Sequence, residues 1–420
     1  MINERFDICY KKWHNNLNKI SVEISYRGDY MRRVAACVVI AAGLVAVLLI
    51  KKACSNKSVN IGQSCNETEE QSYWRTDSHG VCKAESGYYY LQYDDNKMLT
   101  MIRYMDGNTH KTTPVCAKAE CMHDSSDCNA MLGNDYMSTQ IHYYKGNIYV
   151  VRVDNGMAKL VKIAKDGSSR EDVAELFANN GATSVSLVFH DDCVYAYDHI
   201  GHTGAVDSNK DDKEVIVKVE LSTGKSSEVF SYPGAYNAIY GARSFGDKLF
   251  FQIFNCSIDA KTMNVDMTYQ LYYYDYATGK SDKVSDENIS DYYVDTQNNM
   301  LYYFVTDKGL YARKLNENTA SLLYKADSDI IIASLSYDGS YIYMCNGGIA
   351  SATNLREQTD EKIFVLKTDG TLINTIELDN SKMRNLYFGD DKYLFFEYDG
   401  RLVYIDKSNI AGDVSIVPVE

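Results

Sequence analysis

Proline and tryptophan are scarce in this chain, with three and two residues among 420. Helical periodicity built from Glu, Lys and Ala is nearly missing beyond the N-terminus, which argues against a helical body. Basic residues are short as well. The net charge is −14, and after the first 50 residues 36 Lys and Arg face 53 Asp and Glu. A body that acidic repels phosphate backbones, which excludes nucleic acid as a partner. Cysteine is too sparse for a dense disulfide scaffold. Eleven are present, and the nine that follow residue 50 cannot all pair within one chain.

Long apolar runs are missing too, with one exception. Val34–Ile50 is 17 uninterrupted apolar residues, near the lower limit for crossing a bilayer. Residues 1–33 carry seven Lys and Arg against four Asp and Glu, which favours an N-terminus inside the cell. A cleaved signal peptide is the rival reading. The 33-residue lead is long for one, and no small-x-small cleavage site follows the apolar core. Cys54 lacks the apolar or small residues that lipoprotein processing requires, because Lys51 and Lys52 precede it. The expected order is a cytoplasmic tail (1–33), a transmembrane anchor (34–50), a polar stalk (51–78) and an external body (79–420).

What is abundant is tyrosine, 36 residues, set in short runs with Asx-Gly and Thr-Gly turns between them. Ile331–Asp379 shows the unit: IIASLSY, Asp338-Gly339, YIYMC, a long polar loop, KIFVLK, Asp369-Gly370, TLINTIEL. β-Branched and aromatic residues suit pleated strands, and the glycines supply the positive φ of tight hairpins. The same grammar recurs from His79 onward, with third-to-fourth turns at Asp166-Gly167, Thr223-Gly224 and Thr278-Gly279. Seven four-stranded units spaced roughly 40–55 residues apart predict an all-β, seven-bladed β-propeller. A count of six stays open if the first or the weak fourth unit is irregular. Many strands are apolar on both faces, as blades packed between two neighbours must be.

These Tyr-x-Tyr hairpins with Asp-Gly and Thr-Gly turns resemble exported bacterial propellers of the TolB-like and YWTD-like kind, including tyrosine-rich, uncharacterised versions in Firmicutes. The resemblance covers residues 79–420 and implies a fold rather than a chemistry. LYYYDYATGK at 271–280 is also similar to the strand-turn of quinone-type propellers, but their regular tryptophans are absent, Trp13 and Trp74 being the two present.

Up-and-down strands send second-to-third loops and inter-blade connections to one face, and the remaining hairpins to the other. The long connections fall at His199–Lys213, Asn255–Thr268, Asn346–Glu361 and, between blades one and two, Lys118–Ser138. All four are expected on one face, which makes that face the binding surface. Cys116, Cys121, His123 and Cys128 place four soft ligands within thirteen residues. Zinc wants four such groups tetrahedrally arranged. A disulfide such as Cys121–Cys128 and free thiols are the other readings. Cys193, Cys256 and Cys345 read as small buried residues. His199, His202 and Asp207 could ligate a metal but read more simply as loop residues, and Asp207–Asp211 begins like a calcium loop without its glycine.

The expected function is a membrane-anchored extracytoplasmic scaffold that binds a protein, a peptide or an envelope polymer through the long-loop face. A sensor signalling through the cytoplasmic tail is a second class. A hydrolase with paired carboxylates at the propeller axis is a third.

Overall fold

The computed structural model describes residues 57–62 and 80–420, except 95–98, 126, 137–138, 179–184, 201–211, 235–236, 259–261, 263–264, 328–329, 347–360 and 380. It contains seven sheets in sequence order, each a four-stranded antiparallel meander, and the first sheet takes one further short strand. The expected seven-bladed all-β propeller is therefore found, and the weak fourth unit is a true blade closed by Lys280–Lys283. Val34–Ile50 lies outside the described residues, and among those described no helix is long and apolar enough to cross a membrane.

Blade two shows why the strands read as apolar throughout. Successive residues of Asn147–Asp154 point to opposite faces of the sheet. Ile148 and Val150 join a buried cluster with Cys82 and Ile102 of blade one, while Tyr149 and Val151 join Leu187 and Val194 of blade three. Each such burial contributes about 1.5–3 kcal/mol. The ring therefore consists of sheets glued face to face, with no solvated side.

The Gly turns do more than reverse the chain. Gly167, Gly224 and Gly370 all have positive φ, as hairpin chemistry requires. A Cβ at these positions would also collide with the carbonyls of Val115, Val173 and Leu323, each on the outer strand of the preceding blade. One dipeptide thus serves both the turn and the close seating of one blade on the last.

Among the described residues, blades one and seven share no strand. Tyr88, Tyr90, Tyr387, Tyr393, Phe395 and Tyr404 pack across their seam. Asp390 accepts the Tyr88 hydroxyl at 2.8 Å and pairs with Lys83 at 2.9 Å. The His110 ring meets the hydroxyls of Tyr393 and Tyr404 at 2.8 and 3.1 Å.

The segment expected as a polar stalk is described at 57–62, and there it lies against the propeller. Lys57 N–H donates to the Val284 carbonyl at 3.0 Å, Val59 N–H to Leu315 at 2.7 Å, and Gly62 N–H to Asp247 at 2.9 Å. Val59 is buried in the core of blades four to six. Arg313, buried at 2% exposure, donates to the carbonyls of Lys57, Val284, Leu315 and Glu317.

Candidate functional site

The cysteine-rich segment is built into blade one differently from the expectation. Thr112–Pro114 pairs with Met105–Arg103, and Met131–Leu132 pairs with Met101–Thr100, on the same side of the same strand. Between them Val115 N–H donates to the Ile102 carbonyl at 3.0 Å, and Ile102 N–H donates to Ala130 at 2.8 Å. Residues 116–129 are therefore extruded from the middle of a split outer strand. Lys118–Ser138 was expected as an inter-blade loop on the long-loop face. Instead its greater part leaves the outer rim and packs against the Asp166-Gly167 turn of blade two, where Asn129 donates to the Gly167 carbonyl at 2.8 Å. Arg170 pins the returning strand by donating to Met131 at 2.8 Å.

Within this insert the structure brings all four expected residues together. The ligand atoms of Cys116, Cys121, His123 and Cys128 lie within 4.8 Å of one another. Tetrahedral zinc with bonds of about 2.3 Å to sulfur and 2.0 Å to nitrogen needs donor–donor edges of roughly 3.5–3.8 Å. A small contraction would reach that geometry. His123 Nδ1 is 3.3 Å from Cys128 Sγ, and the His123 backbone holds a left-handed φ of 53° that turns its ring inward over the insert. Backbone N–H bonds tighten the loop: Cys121 to Lys118 at 3.3 Å and Cys128 to Ser125 at 3.1 Å. A cluster of three thiols and an imidazole so arranged can hold a metal such as zinc.

The thiols differ in acidity. Cys121 falls below the ordinary thiol range, chiefly through the His123 backbone N–H, against some burial. Cys128, buried beside Ala130 and Met131, is pushed up to about 11 by desolvation. Cys121 thus ionises more readily than Cys128, and a bound dication would draw protons from the thiols around it. All seven described cysteines are free thiols, so the Cys121–Cys128 disulfide is not formed in this structure.

The remaining sequence candidates resolve variously. Cys256 and Cys345 are buried, as expected, and Cys193 is half-buried. His202 and Asp207 lie outside the described residues, as does all of Asp207–Asp211. His199 bonds the buried Glu214 at 2.7 Å, which raises its pKa despite burial, and Glu214 also accepts Ile239 N–H at 3.0 Å. This pair joins blades three and four. On the innermost strands Asp291 pairs with Arg243 at 3.2 Å and accepts Leu335 N–H at 2.7 Å. Its oxygens hold three blades together and are committed to structure.

The other long connections are described in part. Those between the second and third strands of blades three and six fall largely outside the described residues. The one in blade four differs from expectation. Asn255–Thr268 is mostly strand: Lys248–Ile258 and Val265–Asp275 extend into a paired arm, with Cys256 opposite Met267 and Ser257 opposite Asp266. Sequence reading missed the arm, although Cys256, Ile258, Val265 and Met267 carry the period-two signal.

No family model matches the chain, and no curated protein matches it. Solved structures do. A prolyl endopeptidase aligns with a TM-score of 0.52 at 12% identity over 83% of this chain, and this chain spans half of that protein's length. The β-propeller domain of the Trilobed protease from Pyrococcus furiosus gives 0.48 at 12% identity, covering 81% of this chain and 94% of that one. Sqt1 of Saccharomyces cerevisiae gives 0.46 at 11% identity, covering 87% and 88%. At such identities the likeness concerns fold alone, and by fold this chain is a β-propeller.

Proposed function

We propose that the chain is a binding scaffold of the exported TolB-like type, held in the cell membrane by Val34–Ile50 with its propeller outside. It engages a protein, peptide or envelope polymer through the long-loop face. The observation that carries this reading is the uneven sharing of chain between the two faces. The second-to-third strand junctions of blades three, four and six all open on one side of the meander order, and in blade four the two strands run on there as a paired arm. The hairpins of the other side are mostly short turns, several seated against neighbouring blades, with 407–416 of blade seven the longer exception. Irregular loops and arms on a rigid ring are where recognition resides. The fold suits such work because seven interlocked sheets hold loop bases fixed while loop sequence varies.

In this reading Cys116, Cys121, His123 and Cys128 hold one zinc ion in a closed four-ligand site. Such a site is structural, since no position is left for water or substrate. It would fix a fourteen-residue extrusion (116–129) that has no strand pairing of its own.

Protease added to intact cells stripped of their outer wall tests the anchor. The expected result is digestion of the body, with a short N-terminal fragment retained in the membrane. Recovery of the intact body in the medium, with a new N-terminus near Ser55, would overturn it.

A further inference from the structure

The strap at 57–62 does not leave the propeller at a neutral place. Val284 follows the outer strand of blade four, Leu315 opens the third-to-fourth hairpin of blade five, and Asp247 sits in the first-to-second hairpin of blade four. The strap thus enters at the rim between blades four and five and runs inward across the short-hairpin face. Its hold is substantial. Three backbone N–H groups are accepted by the propeller, Val59 is 1% exposed, and the buried Arg313 donates to the Lys57 carbonyl. Outside, Lys57 pairs with Asp282 at 2.6 Å.

Seven peptide units separate Ile50, the last residue of the apolar run, from Lys57. Fully extended they reach at most about 25 Å. A span ending at Ile50 therefore keeps the rim of blades four and five close to the lipid.

We infer that the strap sets the orientation of the propeller: the short-hairpin face at blades four and five is membrane-proximal, and the long-loop face is turned away from the bilayer. This rests on the anchor reading above and adds a direction to it. Charge attraction to lipid does not set the direction, because the cations around the strap are already matched: Lys57 with Asp282, Lys283 with Asp286 and Lys314 with Glu317. The device is a tether fastened to one side of a rigid body. Blade one lies half a turn away around a ring of seven, so its cysteine insert stands on the far rim. The blade-four arm rises from the same blade as the tether but on the opposite face.

The test uses the full chain in lipid vesicles, with a fluorescent donor clicked onto an azide-bearing residue so that native thiols are untouched. One donor replaces Ala277, in the blade-four turn of the short-hairpin face. The other replaces Asp266 in the arm, about nine strand residues or 30 Å higher. Acceptors are carried on lipid headgroups, and outward-facing protein is read. Energy transfer from position 277 should exceed that from 266 several-fold. Equal or reversed transfer from protein that floats with the vesicles overturns the orientation and leaves the anchor standing. Failure to float overturns the anchor and the orientation together. In Val59→Asp, which expels the strap from its pocket, the contrast between the two donors should shrink while flotation persists. An unchanged contrast in that variant means the strap does not set the direction.

Discussion

The rim of blades four and five and the seam of blades seven and one are closed by opposite chemistry. At the first, the Arg313 guanidinium sits among carbonyls of the strap and of both blades. At the second, the Asp390 carboxylate, 1% exposed, gathers Lys83, the Tyr88 hydroxyl and the N–H groups of Lys392 and Tyr393. Blades four and five are already joined by the chain, so Arg313 fastens a third party to them. Blades seven and one are not joined, so Asp390 and the surrounding tyrosines substitute for a connection. At these two places a buried charge does joining that polypeptide continuity does not, whereas Asp291 with Arg243 and Glu214 with Ile239 brace blades that the chain already connects.

Removing the guanidinium should break the comparison most severely. Arg313→Met takes the guanidinium from the Lys57 and Glu317 carbonyls, while those of Val284 and Leu315 keep the strap N–H groups of Lys57 and Val59. At about 1–3 kcal/mol for each lost donor, a loss of about 2–4 kcal/mol is expected in urea unfolding. Arg313→Lys should recover little, because an ammonium cannot span the fork that reaches Lys57 and Glu317 together. Full recovery by lysine would show that charge alone matters there.

Zinc should act on the other side of the ring. Protein purified without chelator is expected to carry one zinc per chain. At free zinc a hundredfold above the dissociation constant, the ion should add about 2.7 kcal/mol. Cys128→Ser should abolish both the zinc and the increment. Absence of metal with Cys116, Cys121 and Cys128 all alkylatable in the native protein would remove the assignment.

At the seam, Tyr88→Phe deletes one hydrogen bond to a buried carboxylate and should cost about 1.5–3 kcal/mol. It should leave the strap's amide protection from hydrogen exchange unchanged.

The smallest expected effect separates the two places by pH. Burial would raise the Asp390 pKa, but Lys83 and the Tyr88 hydroxyl outweigh it, and the net shift is below the ordinary value of 3.8. A depressed carboxylate stabilises above its unfolded pKa and loses that stability as pH falls through the folded one. The seam should therefore loosen below about pH 4. The strap shares some of that sensitivity through Asp282, which Lys57 also holds below the ordinary value, but its Arg313 contacts keep their charge. Hydrogen exchange that quickens first at the strap on acidification would contradict this.

Most of the ring was legible because its signals are local. The Tyr341-Ile342-Tyr343 run beside Asp338-Gly339 contains the strand, the turn and their register within a few residues. The cluster of Cys116, Cys121, His123 and Cys128 was legible for the same reason, its members being close in sequence. The split outer strand was not. That Val115 and Ala130 both serve Ile102 is decided by pairing across the excursion, and nothing in CAKAECMHDSSDCN announces it. The strap was hidden because Val59 and Ile61 are isolated apolar residues in a polar segment, and their pockets are formed by residues more than 180 positions away. The blade-four arm carried an alternation that polar neighbours at Ser257, Asp259 and Asp266 obscured.

Photo-crosslinking from both faces tests whether recognition belongs to the long-loop face. A photoreactive residue would be placed at Asp266 in the blade-four arm and, separately, in the Asp369-Gly370 turn of the short-hairpin face, in the native membrane. A discrete crosslinked species is expected from Asp266, absent from the 369–370 turn, and lost when 347–360 is replaced by a four-residue turn in a chain that still folds. The same species captured equally from both faces, or from the short-hairpin face alone, would contradict it.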